Sequence, residues 1–189
     1  MTRIAALLLL TFAPSVFAHA GHNGLHDALD GLLHPLTGAD HLAAMLAVGL
    51  WGALTEPRWP QAARAPLVFA AALLAGALSA MFGGWHPPGV EPGIALSLLA
   101  LGLLIARRTA LPQGLGLVLV ALFAWAHGAA HGQELVSVSA LLGMVLATAL
   151  LHGAGIGFGL LLRPTALRWS EGIGAVLMTF GALRLSGVL

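Results

Sequence analysis

Residues 135–162, LVSVSALLGMVLATALLHGAGIGFGLLL, run for 28 positions without one Asp, Glu, Lys or Arg and hold a single histidine, His152. A helix rising about 1.5 Å per residue needs only about 20 such positions to cross the roughly 30 Å of a bilayer's hydrocarbon. The solvent of this stretch is lipid. The same holds for the whole chain: 59% of its residues are hydrophobic and 8% charged, where a soluble domain needs about 25% charged residues to keep its surface wet. Working outward, comparable apolar runs lie at Pro35–Leu54, Pro66–Gly83, Gly89–Ala106, Gln113–His131 and Glu171–Val188. Proline sits at or near several starts (Pro35, Pro66, Pro92, Pro112), where its missing N–H costs nothing. The expected fold is an all-α integral membrane protein with six transmembrane helices behind a cleaved signal peptide.

The leader is read from Arg3, a short apolar stretch Ile4–Ala13, the helix-breaking Pro14 and the small residues around Val16-Phe17-Ala18. That stretch is too short to span a bilayer and has the order of parts a signal peptide needs. Residues 1–18 are expected to be removed after Ala18, with Ala20 as the alternative, leaving 19–33 as a short periplasmic segment ahead of a six-helix domain at 34–189. Cleavage after Ala18 begins the mature chain at His19, whose imidazole and free amine can chelate a metal together.

Arginine sets the orientation independently. Arg58 and Arg64 follow the first span, Arg107 and Arg108 the third, Arg163 and Arg168 the fifth, and the connections after the second and fourth spans hold none. With the amino terminus outside, all six lie in the cytoplasm, as the positive-inside rule requires. Trp51, Trp59, Trp85 and Trp169 fall near the predicted interfaces. The formal net charge is only +1, so there is no basic patch to serve a nucleic acid. Cysteine is absent, which removes disulfides, thiolate metal sites and cysteine catalysis together.

Nine histidines in so apolar a chain ask for a reason. His34, Asp40 and His41 fall in the outer half of the first span, His86 and Glu91 in the second outer connection, and His127, His131 and Glu134 at the outer end of the fourth span. Only His152 lies deep. Residues three, four and seven apart share a helix face, so His34, Gly38, His41 and Met45 form one stripe, and His127, His131 and Glu134 a second. Two histidines one turn apart can grip an ion, and a carboxylate a turn further can complete or orient them. Asp40, about 100° around from His41, addresses another helix, as a ligand or as an acceptor for a histidine N–H. Imidazoles suit nickel, cobalt, copper and zinc, whereas carboxylates alone suit magnesium or calcium; Met45 adds a soft thioether. The competing reading is polar helix–helix packing, in which membrane histidines merely hydrogen-bond across interfaces. Against it stands Asp40, because an intramembrane carboxylate costs about 2.5–3.5 kcal/mol.

The segment His34-Pro35-Leu36-Thr37-Gly38-Ala39-Asp40-His41, followed by Met45, Val48 and Gly49, resembles the HPxxGxDHxxxMxxVG pattern of the HupE/UreJ family, with no departure from it. The segment His127-Gly128-Ala129-Ala130-His131-Gly132-Gln133-Glu134 is similar to that family's second histidine-rich segment. The resemblance implies a multi-pass permease of the bacterial inner membrane taking up nickel (Ni2+), sometimes cobalt, for hydrogenase or urease maturation proteins. It implies His34, Asp40, His41, His127, His131 and Glu134 as metal contacts and leaves His152, His86 and Glu91 undetermined; Met45, His152, His86 and His19 are the secondary candidates. From the residues alone the reading reaches a borderline divalent metal, zinc included, held on the outer side.

Three functions fit these residues: a permease for such a metal, a membrane-embedded zinc hydrolase, and an accessory protein that binds metal without moving it. No GxxxxGK[ST] loop is present, so the chain hydrolyses no ATP itself, and no HExxH helix is present to favour the hydrolase. The expectation is a transporter and not an enzyme.

Overall fold

The computed structural model describes residues 24–56, 58–84, 88–135 and 137–189; the leader, its cleavage site, His19 and His86 lie outside the described residues. Helices account for nearly all of the described residues: α1 (Gly24–Thr37), α2 (Ala39–Thr55), the short α3 (Trp59–Ala62), α4 (Arg64–Gly83), α5 (Val90–Arg107), α6 (Gln113–Glu134), α7 (Val138–Leu162) and, after a 3-10 turn at Arg163–Thr165, α8 (Ala166–Leu185). Among the described residues there is no strand. Four helical stretches, Trp59–Gly83, Val90–Arg107, Gly114–Gly132 and Val138–Leu162, are long and apolar enough to cross a membrane. The chain is therefore a helical integral membrane protein. α2 is as apolar but shorter, at 17 residues.

The cause of each boundary is local. α7 starts where the Ser137 hydroxyl accepts the Ala140 N–H at 3.2 Å, an N-cap that satisfies one of the amides a helix start leaves free. The apolar run beginning at Leu135 therefore becomes helical only at Val138. α5 ends at Arg108 with φ 49°, a left-handed residue, and its N–H folds back on the Ile105 carbonyl.

One boundary departs from expectation. The sequence reading started a single helix near Pro35, preceded by an irregular segment. Instead a helix already runs from Gly24 to Thr37, and the chain breaks at Gly38 (φ −94°, ψ 107°) before α2 begins. Two features terminate α1: the Thr37 hydroxyl donates to the His34 carbonyl at 2.7 Å, and Gly38 is extended, its carbonyl serving as the first acceptor of α2 through Leu42 N–H. His34 and His41 thus sit on different helices.

The bundle is held by glycines set against a neighbour's backbone, the device that lets helices approach in lipid where burial of apolar surface supplies no drive. Gly31 and Gly143 join α1 to α7, Gly49 and Gly155 join α2 to α7, Gly76 and Gly128 join α4 to α6, and Gly102 and Gly174 join α5 to α8. α2 is the centre, touching α7, α5, α4 and α8. Leu115, Leu122, Leu142, Leu146 and Leu150 point outward, apolar surface that suits hydrocarbon.

Candidate metal centre

Successive helices run in opposite directions, so the connections sort into two ends. One carries Arg58, Arg64, Arg107, Arg108 and Arg163, tied by hydrogen bonds from Arg163 to the Ala53 and Glu56 carbonyls and from Trp51 Nε1 to the Thr109 carbonyl. The opposite end gathers the C-terminus of α1, the N-termini of α2 and α5, and the C-termini of α6 and α8, and there the histidines meet.

His131 is the hub. Its ring lies 4.8 Å from that of His34 and 4.2 Å from that of His41, while His41 in turn is 5.2 Å from His127. Glu134, the last residue of α6, accepts from His34 Nε2 at 2.8 Å and stands 3.8 Å from His131 Nδ1. One ligand atom from each of His34, His131 and Glu134 lies within 4.8 Å of the others, slightly wider than the roughly 4.2 Å that two ligands at about 2.1 Å from one ion can span, so a small side-chain movement closes the three on an ion. The neighbouring imidazoles of His131 and His34 hold the Glu134 carboxyl well below the usual carboxylate range, so it offers a negative oxygen. Glu134 is 58% exposed and His34 28%, whereas His131 is 2% exposed and His127 fully buried. The cluster therefore runs from a wet rim into a dry interior.

Burial leaves nitrogen atoms without partners. Neither ring nitrogen of His131 is hydrogen-bonded among the described residues, nor is His127 Nε2. His127 Nδ1 faces the Phe123 carbonyl at 2.8 Å; a carbonyl only accepts, so Nδ1 carries the proton and Nε2 keeps its lone pair. A buried unsatisfied polar atom costs about 1–3 kcal/mol, and a ring of such lone pairs is the donor set that a borderline divalent ion seeks.

Asp40 has both carboxylate oxygens engaged as acceptors. Its Oδ1 accepts from the His41 backbone N–H and from His41 Nδ1, both at 2.9 Å, which turns His41 Nε2 away from the carboxylate. Its Oδ2 accepts from Arg184 Nη2 at 2.6 Å. Arg184, on α8, also reaches Glu91 at 3.2 Å, so α2, α5 and α8 are pinned beside the cluster by one guanidinium. Reading the sequence passed over Arg184. The available signal was its place at the outer end of the last span, against the positive-inside bias, where an arginine needs an acid.

Met45 and His152 stand deeper and apart. The Met45 thioether lies 3.6 Å from the Thr148 hydroxyl, which donates to the Met144 carbonyl at 2.9 Å, and His152 Nδ1 donates to the Met45 carbonyl at 2.7 Å.

A family model described as HupE / UreJ protein matches residues 7–184, which includes every helix above except the last residue of α8. The chain belongs to the HupE/UreJ family. A relative called Protein HupE, from Rhizobium leguminosarum bv. viciae, is 38% identical over 164 residues, which cover 82% of this chain and 80% of the relative. No solved structure matches. HupE/UreJ proteins are linked to accessory handling of nickel and cobalt for hydrogenase and urease rather than to an enzyme class. In this HupE/UreJ chain both histidine-rich segments, a hundred residues apart along the sequence, meet in one cluster.

Proposed function

We propose that this HupE/UreJ chain is a permease that admits nickel, or cobalt, through the bacterial inner membrane to the maturation proteins of a nickel or cobalt enzyme. In this reading the leader is cleaved, α2 and α4–α8 make six spans, the amino terminus is periplasmic, and the arginine end faces the cytoplasm as the positive-inside rule asks. The histidine end is then the entrance. His34, His131 and Glu134 take the ion first at the wet rim, and His41 and His127 receive it further in, with Asp40 holding the His41 ring. The observation that carries the proposal is the convergence of four imidazoles and a carboxylate from three helices, with buried nitrogens that have no hydrogen-bond partner among the described residues. A closed cage of four strong ligands would keep its metal; neutral imidazoles graded in depth bind an ion and let it go. The membrane potential favours entry of a cation by about 2.3 kcal/mol per charge per 100 mV.

The test is the purified protein in vesicles with a nickel-sensitive dye inside. Dye response to external Ni2+, lowered at least tenfold by His131→Ala, is expected. Tight nickel binding without influx would leave an accessory metal-binding protein instead, and release of a cleaved lipid or peptide would point to the hydrolase.

A further inference from the structure

His152 sits on α7 fourteen residues beyond Val138, about 21 Å along the helix axis, and is 2% exposed. It belongs to no part of the outer cluster. Phe69 of α4, fully buried, touches both, with its ring 5.6 Å from that of His127 and 4.9 Å from that of His152. The two imidazoles are fixed alike. Each donates its Nδ1 proton to a backbone carbonyl, Phe123 for one and Met45 for the other. Each is left with Nε2 buried and without a hydrogen-bond partner among the described residues.

A structural role explains one nitrogen of His152 and not the other. Were the Met45 carbonyl all that His152 served, the residue would still bury a bare lone pair at a cost of about 1–3 kcal/mol. The helix contact itself does not need it, since Gly49 and Gly155 already bring α2 and α7 together. We infer that His152 Nε2, with the neighbouring Met45 thioether, forms a second, inner metal position, separated from the outer cluster by the Phe69 ring, through which the ion passes.

The chemistry of the position suits transit. Thr148, one turn before His152, has its hydroxyl 3.6 Å from Met45 Sδ while donating to the Met144 carbonyl at 2.9 Å, and this contact places the thioether on the same side of α7 as the imidazole. An imidazole and a thioether select borderline and soft ions over magnesium and calcium. Among the described residues no carboxylate acts on His152, so the ion binds weakly and leaves. Phe69 keeps the two positions from merging, and its rotation opens the step between them. This inference rests on the permease reading for its direction of travel, though not for the existence of the position.

The experiment uses the full-length purified protein, wild type, His152→Asn and His152→Cys, with Ni2+ as the probe. Asparagine keeps an N–H for the Met45 carbonyl and removes the Nε2 ligand; cysteine removes that hydrogen bond and supplies a thiolate ligand. Equilibrium dialysis at saturating Ni2+ is expected to give two ions per wild-type chain, one for His152→Asn and two for His152→Cys. In vesicles, influx falls at least tenfold in His152→Asn and recovers to within threefold of wild type in His152→Cys, while the affinity of the outer position stays within twofold in both. The reverse order, asparagine active and cysteine inactive, would mean a structural hydrogen bond and would overturn the inference, as would two ions bound by His152→Asn. Absence of influx in the wild type with the stoichiometry pattern intact would overturn the permease reading alone.

Discussion

At the scale of single residues, the site depends on groups that do not themselves face an ion. Asp40 has one oxygen committed to His41 and the other to Arg184, and its side chain is only 8% exposed. Arg184 removed, that carboxylate would lie in a largely dry place with one partner, free to swing and to take the His41 ring with it. Partners that orient a metal's ligands are worth about 10–100-fold in affinity when removed. Arg184→Met is therefore expected to weaken nickel binding by roughly that factor, read by competition against a coloured nickel chelator, while His34→Ala abolishes binding at the rim. Nickel affinity unchanged in Arg184→Met would show that Asp40 holds His41 without help. The candidate residues that cluster here stand out in the sequence because imidazole and carboxylate are rare in a lipid-facing chain. Arg184 does not: read one span at a time, an arginine near the chain's end is a generic anchor, and only its juxtaposition with Asp40 and Glu91, 144 and 93 positions away, gives it a role.

At the scale of helices, what spacing could and could not predict divides at Gly38. The i, i+4, i+7 spacing put His34 and His41 in one neighbourhood, where both rings meet His131, but it was wrong about the means and about Met45, which lies deeper; glycine fits a helix face and a helix break equally well. Thr37 and Pro35 tilt the choice toward a break, which turns α1 against α7 and carries His34 across to Glu134. The second stripe, His127 to Glu134, lies on one helix as its spacing requires. The glycines of α7 give the sharpest contrast. A Cβ on Gly155 would run into the Leu46 carbonyl of α2, whereas a Cβ on Gly157 meets nothing within 4 Å. Gly155→Ala should separate α2 from α7 and cost about 1–3 kcal/mol, as overpacking does. Gly157→Ala should be neutral or stabilise by up to about 1 kcal/mol through backbone entropy. Thermal unfolding in detergent measures both, and equal melting temperatures for the two variants would contradict the packing described.

At the scale of the whole molecule, two independent asymmetries agree. His34, His41, His127, His131, Asp40, Glu91 and Glu134 collect at one end of the bundle and five described arginines at the other, so the charge bias that orients a membrane protein also decides which compartment the histidine cluster faces. Composition made the lipid environment plain; it could not reveal that α2, only 17 residues long, lies at the centre of the bundle, since centrality is a matter of which glycines meet which backbones. The orientation is open to direct measurement because the chain has no cysteine. Ser186→Cys, just past α8 at the histidine end, should react in intact cells with a maleimide that cannot cross the membrane. Thr109→Cys, just past α5 at the arginine end, should react only after the cells are opened. Labelling in the opposite pattern would turn the metal cluster toward the cytoplasm, and an importer would then have to release its ion from the set of ligands best built to capture it.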